Sequence, residues 1–99
     1  MIKPVERIGM RNVNSPGRET RVDGAKYAAM KQAMLTALPA SQPGLTWADL
    51  KLRVLPLLPD DLFPGGAKAG WWLKGVQLDL EARGVVAREA SKPLRFFRL

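Results

Sequence analysis

The sequence predicts an α+β domain in which three helices are bracketed by two β-hairpins, and three observations lead there. Both ends of the chain carry short runs of β-type residues around turn-forming clusters, Ser15-Pro16-Gly17-Arg18 and Ser91-Lys92-Pro93. Between them, three stretches repeat apolar residues at helical spacing. Each stretch is punctuated by a capping residue, a proline or a glycine where a helix must begin or stop.

The chain has 99 residues, which suits one domain, since a second core would not fit. We divide it into an N-terminal hairpin extension (1–23), a three-helix core (24–84) and a C-terminal hairpin (85–99). With 46% hydrophobic and 25% charged residues it has the composition of a globular protein. It contains no cysteine, which excludes a disulfide framework and fits a reducing compartment. The first residues, Met1 to Arg7, show no apolar signal-peptide core, and the run Val54-Leu55-Pro56-Leu57-Leu58 is too short to span a bilayer. The expectation is a cytoplasmic protein without a membrane partner.

In the N-terminal hairpin, read over 5–23, Ile8, Met10 and Val13 lie in the first arm and Val22 in the second. Pro16 presets φ and Gly17 supplies positive φ, the chemistry of a type II turn. Asp23 is placed to cap a helix from Gly24 to Leu38, whose Tyr27, Met30, Met34 and Leu38 form one apolar stripe stopped by Pro39. After a loop over 40–44, Thr46 opens a second helix with Trp47, Leu50, Val54 and Leu58 inward, ended or kinked near Leu55 by Pro56. The stretch 59–66 is a connector in which Asp60 could cap a short turn. A third helix spans Ala67 to Arg83, buries Ala69, Trp72, Leu73, Val76 and Leu80, and ends at Gly84. The period then changes to β over 85–90 and 94–99.

The run Leu80-Glu81-Ala82-Arg83-Gly84-Val85-Val86-Ala87-Arg88-Glu89 resembles the end of the recognition helix and first wing strand of bacterial winged helix-turn-helix proteins. Gly44-Leu45-Thr46-Trp47-Ala48-Asp49-Leu50 is similar to the entry of that superfamily's second helix. The resemblance covers residues 24–99 and implies a winged helix: a three-helix core with a C-terminal wing, here preceded by an extra hairpin. The connector before the third helix is longer than the usual tight turn. More narrowly, Asn14–Arg18, Asp60–Trp72 and Lys92–Arg95 resemble a small family of uncharacterised bacterial proteins, which implies no activity.

Sixteen basic against nine acidic side chains give a net charge of +7, densest in residues 85–99 with four basic and one acidic. Such an excess favours polyanionic partners. The resemblance implies double-stranded DNA, with Arg88, Lys92, Arg95 and Arg98 of the wing on phosphates and Lys68, Lys74 and Gln77 flanking the groove. The outward face of the third helix instead reads Trp71, Gly75, Leu78 and Ala82, which offers no hydrogen bonds to base edges. Trp71 and Leu78 therefore mark the alternative: a protein-interaction or homodimerisation surface, unless the N-terminal hairpin covers them.

Catalysis has little to draw on. The chain has no histidine, so His-based triads and general bases are excluded. Asp60-Asp61 suits a turn better than an active site. Gly65-Gly66-Ala67-Lys68-Ala69-Gly70 lacks the lysine–hydroxyl ending and preceding strand of a phosphate loop. We expect a binding protein, not an enzyme, with no cofactor, no metal and no small-molecule substrate.

Overall fold

The structure, a computed structural model, describes residues 7–99. Residues 1–6, including the start of the expected N-terminal hairpin at residue 5, lie outside the described residues. The chain is an α+β arrangement of three helices and two small antiparallel sheets.

Strands β1 (Arg7–Arg11) and β2 (Glu19–Asp23) pair antiparallel, with Ile8 opposite Val22 and Met10 opposite Thr20. Successive side chains alternate between faces, so Met10 and Val22 enter the core while Arg7, Arg11 and Arg21 face out. The expected turn forms: Gly17 has φ +85° and Arg18 N–H donates to the Ser15 carbonyl at 3.2 Å.

Helix α1 (Gly24–Ala37) starts where Asp23 accepts from the N–H groups of Ala25 and Lys26, at 2.9 and 3.2 Å. Its stripe of Tyr27, Met30 and Met34, with Leu38 just beyond, is buried. Leu38 is extended, at φ −75° and ψ 138°, because a residue before proline is excluded from helical geometry.

The loop before the second helix contains a short strand, β3 (Leu45–Thr46), that sequence reasoning missed. Two residues display no alternation; the strand exists because β5 lies beside it. Helix α2 (Trp47–Val54) follows, with Thr46 accepting from Asp49 N–H, and Pro56 tightens its exit into a 3₁₀ turn (Leu55–Leu57).

The long connector has a packing purpose. Phe63 is buried and meets Trp72 edge-on at 6.3 Å, so the detour delivers an aromatic ring to the core. Asp60 accepts from Gly65 N–H at 3.1 Å, bracing the 3₁₀ turn Pro64–Gly66. Positive φ at Gly65, Gly66 and Lys68 delays helix α3, which runs Ala69–Ala82 and not from Ala67. It ends as expected: Gly84 has φ +75°, its N–H donates to Glu81, and Val85 N–H donates to the Leu80 carbonyl at 2.9 Å.

Strands β4 (Val86–Glu89) and β5 (Arg95–Arg98) close the chain, in a sheet of order β3-β5-β4. Gly44 sits so near β5 that a Cβ there would collide with the Phe96 carbonyl. Its peptide is held from both sides, its N–H by Glu89 and its carbonyl by the Arg95 guanidinium at 2.9 Å. The core gathers Met30 and Met34 of α1, Leu50 and Val54 of α2, and Leu73, Val76 and Leu80 of α3, closed by Val86 and Phe96 of the sheet.

Candidate interaction surface around the third helix

Helix α3 is enclosed on more sides than its own sequence indicates. Its inner stripe faces the other helices, and the N-terminal hairpin lies over the C-terminal part of the opposite face. Gly75 permits this approach, since a Cβ there would stand 2.6 Å from Met10 Cε. Leu78 is thereby reduced to 8% exposure, which corrects its assignment to an open interface: the hairpin covers it.

Polar bonds fix the cover. Asp79, fully buried on α3, accepts from Arg11 N–H at 2.7 Å, from the Tyr27 hydroxyl and from Arg83 Nε at 2.9 Å. Arg83 in turn donates to the Gly9 carbonyl at 3.1 Å. The outward-pointing backbone groups of β1 are thus satisfied by an acid–arginine pair one helical turn apart. Burial, then the Asp79 hydrogen bond and charge, push the Tyr27 hydroxyl well above its ordinary range. The Asp79 hydrogen bond likewise pushes Arg83 up. This hub joins β1, α1 and α3, and sequence reasoning missed it. The available signal was an acidic residue inside an apolar helical segment with an arginine four positions on.

Gln77, expected beside a groove, is fully buried; its amide donates to Glu81, and its carbonyl oxygen has no partner among the described residues. That assignment is corrected too. At about 100° per residue Gln77 falls on the wheel between buried Leu73 and Leu80, four positions before it and three after, and the packing of α3 on several sides takes it inside.

The C-terminal arginines are largely engaged within the chain. Arg88 grips Glu81 bidentately at 2.7 and 2.8 Å, a hydrogen bond that pushes its guanidinium up. Arg95 holds the Gly44 carbonyl, and Arg98 donates to the Leu38 carbonyl at 3.1 Å, closing the end of α1. Lys92 stands exposed on the turn between β4 and β5, and forms no ion pair among the described residues.

What remains open on α3 is its N-terminal half. Trp71 is 56% exposed and stacks edge-on against Trp72 at 5.1 Å. Lys74 lies over the Trp47 ring at 5.4 Å, a cation–π contact that leaves its ammonium outward. Lys51 of α2 reaches across Gly70, 3.5 Å from the position of a Cβ there, and Lys68 is exposed at the helix start. Among the described residues none of these lysines is ion-paired. The exposed indole thus shares this half of α3 with Lys68 and Lys74, three positions before and after it, and with Lys51 beside Gly70.

Among the described residues, no helix is long and apolar enough to cross a membrane. Residues 7–96 match the model of a family of unknown function (DUF6958). No curated protein and no solved structure matches the chain.

Proposed function

The chain belongs to the DUF6958 family, and we propose that it is a winged-helix protein-interaction module that grips an acidic partner, with Trp71 as anchor. The winged-helix reading is supported by element order and by the sheet, in which the strand before α2 joins the C-terminal hairpin as β3-β5-β4. One observation carries the functional reading: the hairpin covers α3 around Gly75 and Leu78 and leaves Trp71 exposed in the N-terminal half, between Lys68 and Lys74 in sequence and with Lys51 beside Gly70. Tryptophans concentrate interface energy, and unpaired cations around one select a partner of opposite charge. A two-fold contact through this patch would bring like charges together, so the occupant is a different, acidic chain and not a second copy.

Nucleic-acid binding is the second reading, favoured by the exposed Lys68, Lys74 and Lys92 and the net charge of +7. In this reading the contacts are to phosphate and carry no sequence information, because the groove-facing part of α3 is occupied.

A photo-crosslinking amino acid at position 71 separates the two in living cells. The protein reading expects a discrete adduct whose crosslinked surface is acidic. With the purified partner, Trp71→Ala should weaken binding by about 30-fold, equivalent to about 2 kcal/mol. Free chain should sediment as a monomer. Crosslinks to nucleic acid alone, or unchanged affinity of the Trp71→Ala variant, refute the protein reading.

A further inference from the structure

We propose that the loop joining β1 to β2, residues 12–18, forms a binding site for a small organic anion, a carboxylate or phosphate head on a short apolar body, held by Arg11 and Arg18. This site lies at the other end of α3 from Trp71 and is independent of the function proposed above.

Between the loop and Ala82, the last residue of α3, lies a cleft of about 430 Å³, partly open to solvent and within the size range of small-ligand pockets. Val13, Pro16 and Ala82 supply apolar wall, while Arg11, Arg18 and Glu19 supply charge. The loop is braced from within: Asn14 N–H donates to Asn12 Oδ1 at 2.8 Å, Ser15 N–H to the Asn12 carbonyl at 3.0 Å, and Arg18 N–H to that of Ser15. Arg18 therefore sits on a preset loop, and Arg11 on the end of the strand that leads into it. Arg11 is further fixed through its own N–H on buried Asp79.

The charges are disposed for an anion. Arg83 and Arg88 spend their guanidiniums on carboxylates, but Arg11 and Arg18 make no ion pair and no side-chain hydrogen bond among the described residues. Glu19 stands opposite Arg11 in the strand register, yet its carboxylate lies over Gly9, where its charge acts on Arg83. Arg11 and Arg18 thus line the cavity with guanidiniums that no carboxylate engages among the described residues, beside Glu19 as the one acid of the lining; a guanidinium free in this way can bind carboxylate or phosphate oxygens bidentately. The apolar walls ask for more than a bare inorganic ion: they reward a ligand with a hydrocarbon part.

The test uses the full chain, amide-resolved NMR and four probes at matched ionic strength: inorganic phosphate, acetate, butyrate and chloride. Phosphate and butyrate should give saturable shifts confined to residues 11–18 and 82, with butyrate tighter than acetate, and chloride should give none. Arg11→Ala and Arg18→Ala should each weaken binding at least about ten-fold, and Arg18→Glu should abolish it. Arg11→Ala keeps the N–H that bonds Asp79, so the fold stays in place. Arg21→Ala, on β2 outside the cavity, should change nothing. Shifts that grow linearly, that chloride reproduces, or that survive in the Arg11→Ala/Arg18→Ala double variant overturn the proposal.

Discussion

Replacing Asp79 should damage this protein more than replacing any surface charge. Its carboxylate accepts from Arg11 N–H, the Tyr27 hydroxyl and Arg83, and is itself fully buried. In Asp79→Ala, two donors on buried or partly buried groups lose their acceptor, and a cavity remains. Arg83, with 36% of its side chain exposed, can return to water, so its share of the loss is small. Breaking a buried charged cluster by deleting one member costs about 3–5 kcal/mol. A domain of this size loses about 4–8 °C of Tm per kcal/mol, so the fall should be at least about 12 °C. Asp79→Asn keeps the shape and one acceptor but loses the charge, and should cost about 1.5–3 kcal/mol. Urea unfolding followed by circular dichroism measures both. Hydrogen exchange should show early loss of protection at Ile8 and Met10, whose strand Asp79 holds. In a double-mutant cycle, Tyr27→Phe and Asp79→Asn should couple by about 1 kcal/mol. If both Asp79 variants stay within about 0.5 kcal/mol of the parent, the range of ordinary surface substitutions, the hub does not hold the hairpin and the reasoning fails.

Other outcomes follow from the same contacts. Tyr27 is the chain's single tyrosine, so tyrosinate absorbance reports it alone. Its folded-state pKa is raised above the ordinary value of 10.0 by burial and then by Asp79, so its contribution to stability is complete below pH 10 and is lost as pH rises through the folded value. Tyrosinate should therefore form only above pH 10, together with unfolding; a free titration at 10 in folded protein would contradict this. Gly44→Ala should cost about 1–3 kcal/mol or more in urea unfolding, because the new methyl meets the Phe96 backbone and not a flexible side-chain end. Gly75→Ala meets only the tip of Met10 and should cost less; the opposite order would show that β5 yields more easily than the hairpin. If phosphate contacts operate, removing Lys92 should lower the salt slope of duplex binding by about one unit, read by fluorescence anisotropy; an unchanged slope excludes Lys92.

Local chemistry was legible in the sequence wherever the residue and its partner lie close in the chain. Asp23, Thr46, Gly17 and Gly84 each act within a few residues of themselves, and each does what its type dictates. The stripe Tyr27, Met30, Met34 and Leu38 is equally local, since helical spacing alone selects the face. What escaped notice depends on distant partners. β3 is a strand only because β5 is beside it, and Phe63 is a core residue only because Trp72 receives it. Leu78 and Gln77 were misjudged because a helical wheel assumes one buried side, whereas α3 meets the helices on one side and the hairpin on another. The C-terminal arginines were legible as charges but not as structural ties: Arg95 and Arg98 reach carbonyls 51 and 60 positions away.

The hairpin decides which surfaces are left for function. A two-stranded hairpin is at best marginal in water, so β1 and β2 need a surface to cover, and α3 offers Gly75 and Leu78. The fit is reciprocal. Without the hairpin, α3 would expose Leu78 and leave Asp79 with one fewer backbone donor; without α3, the Gly9 carbonyl and Arg11 N–H would be an open strand edge. Both sides lose by separation, so residues 7–23 belong to the core and do not act as a removable cover. It follows that a partner reaches α3 where the hairpin ends, at Trp71 and its lysines, and that the loop at the hairpin's far end is free to shape a pocket of its own.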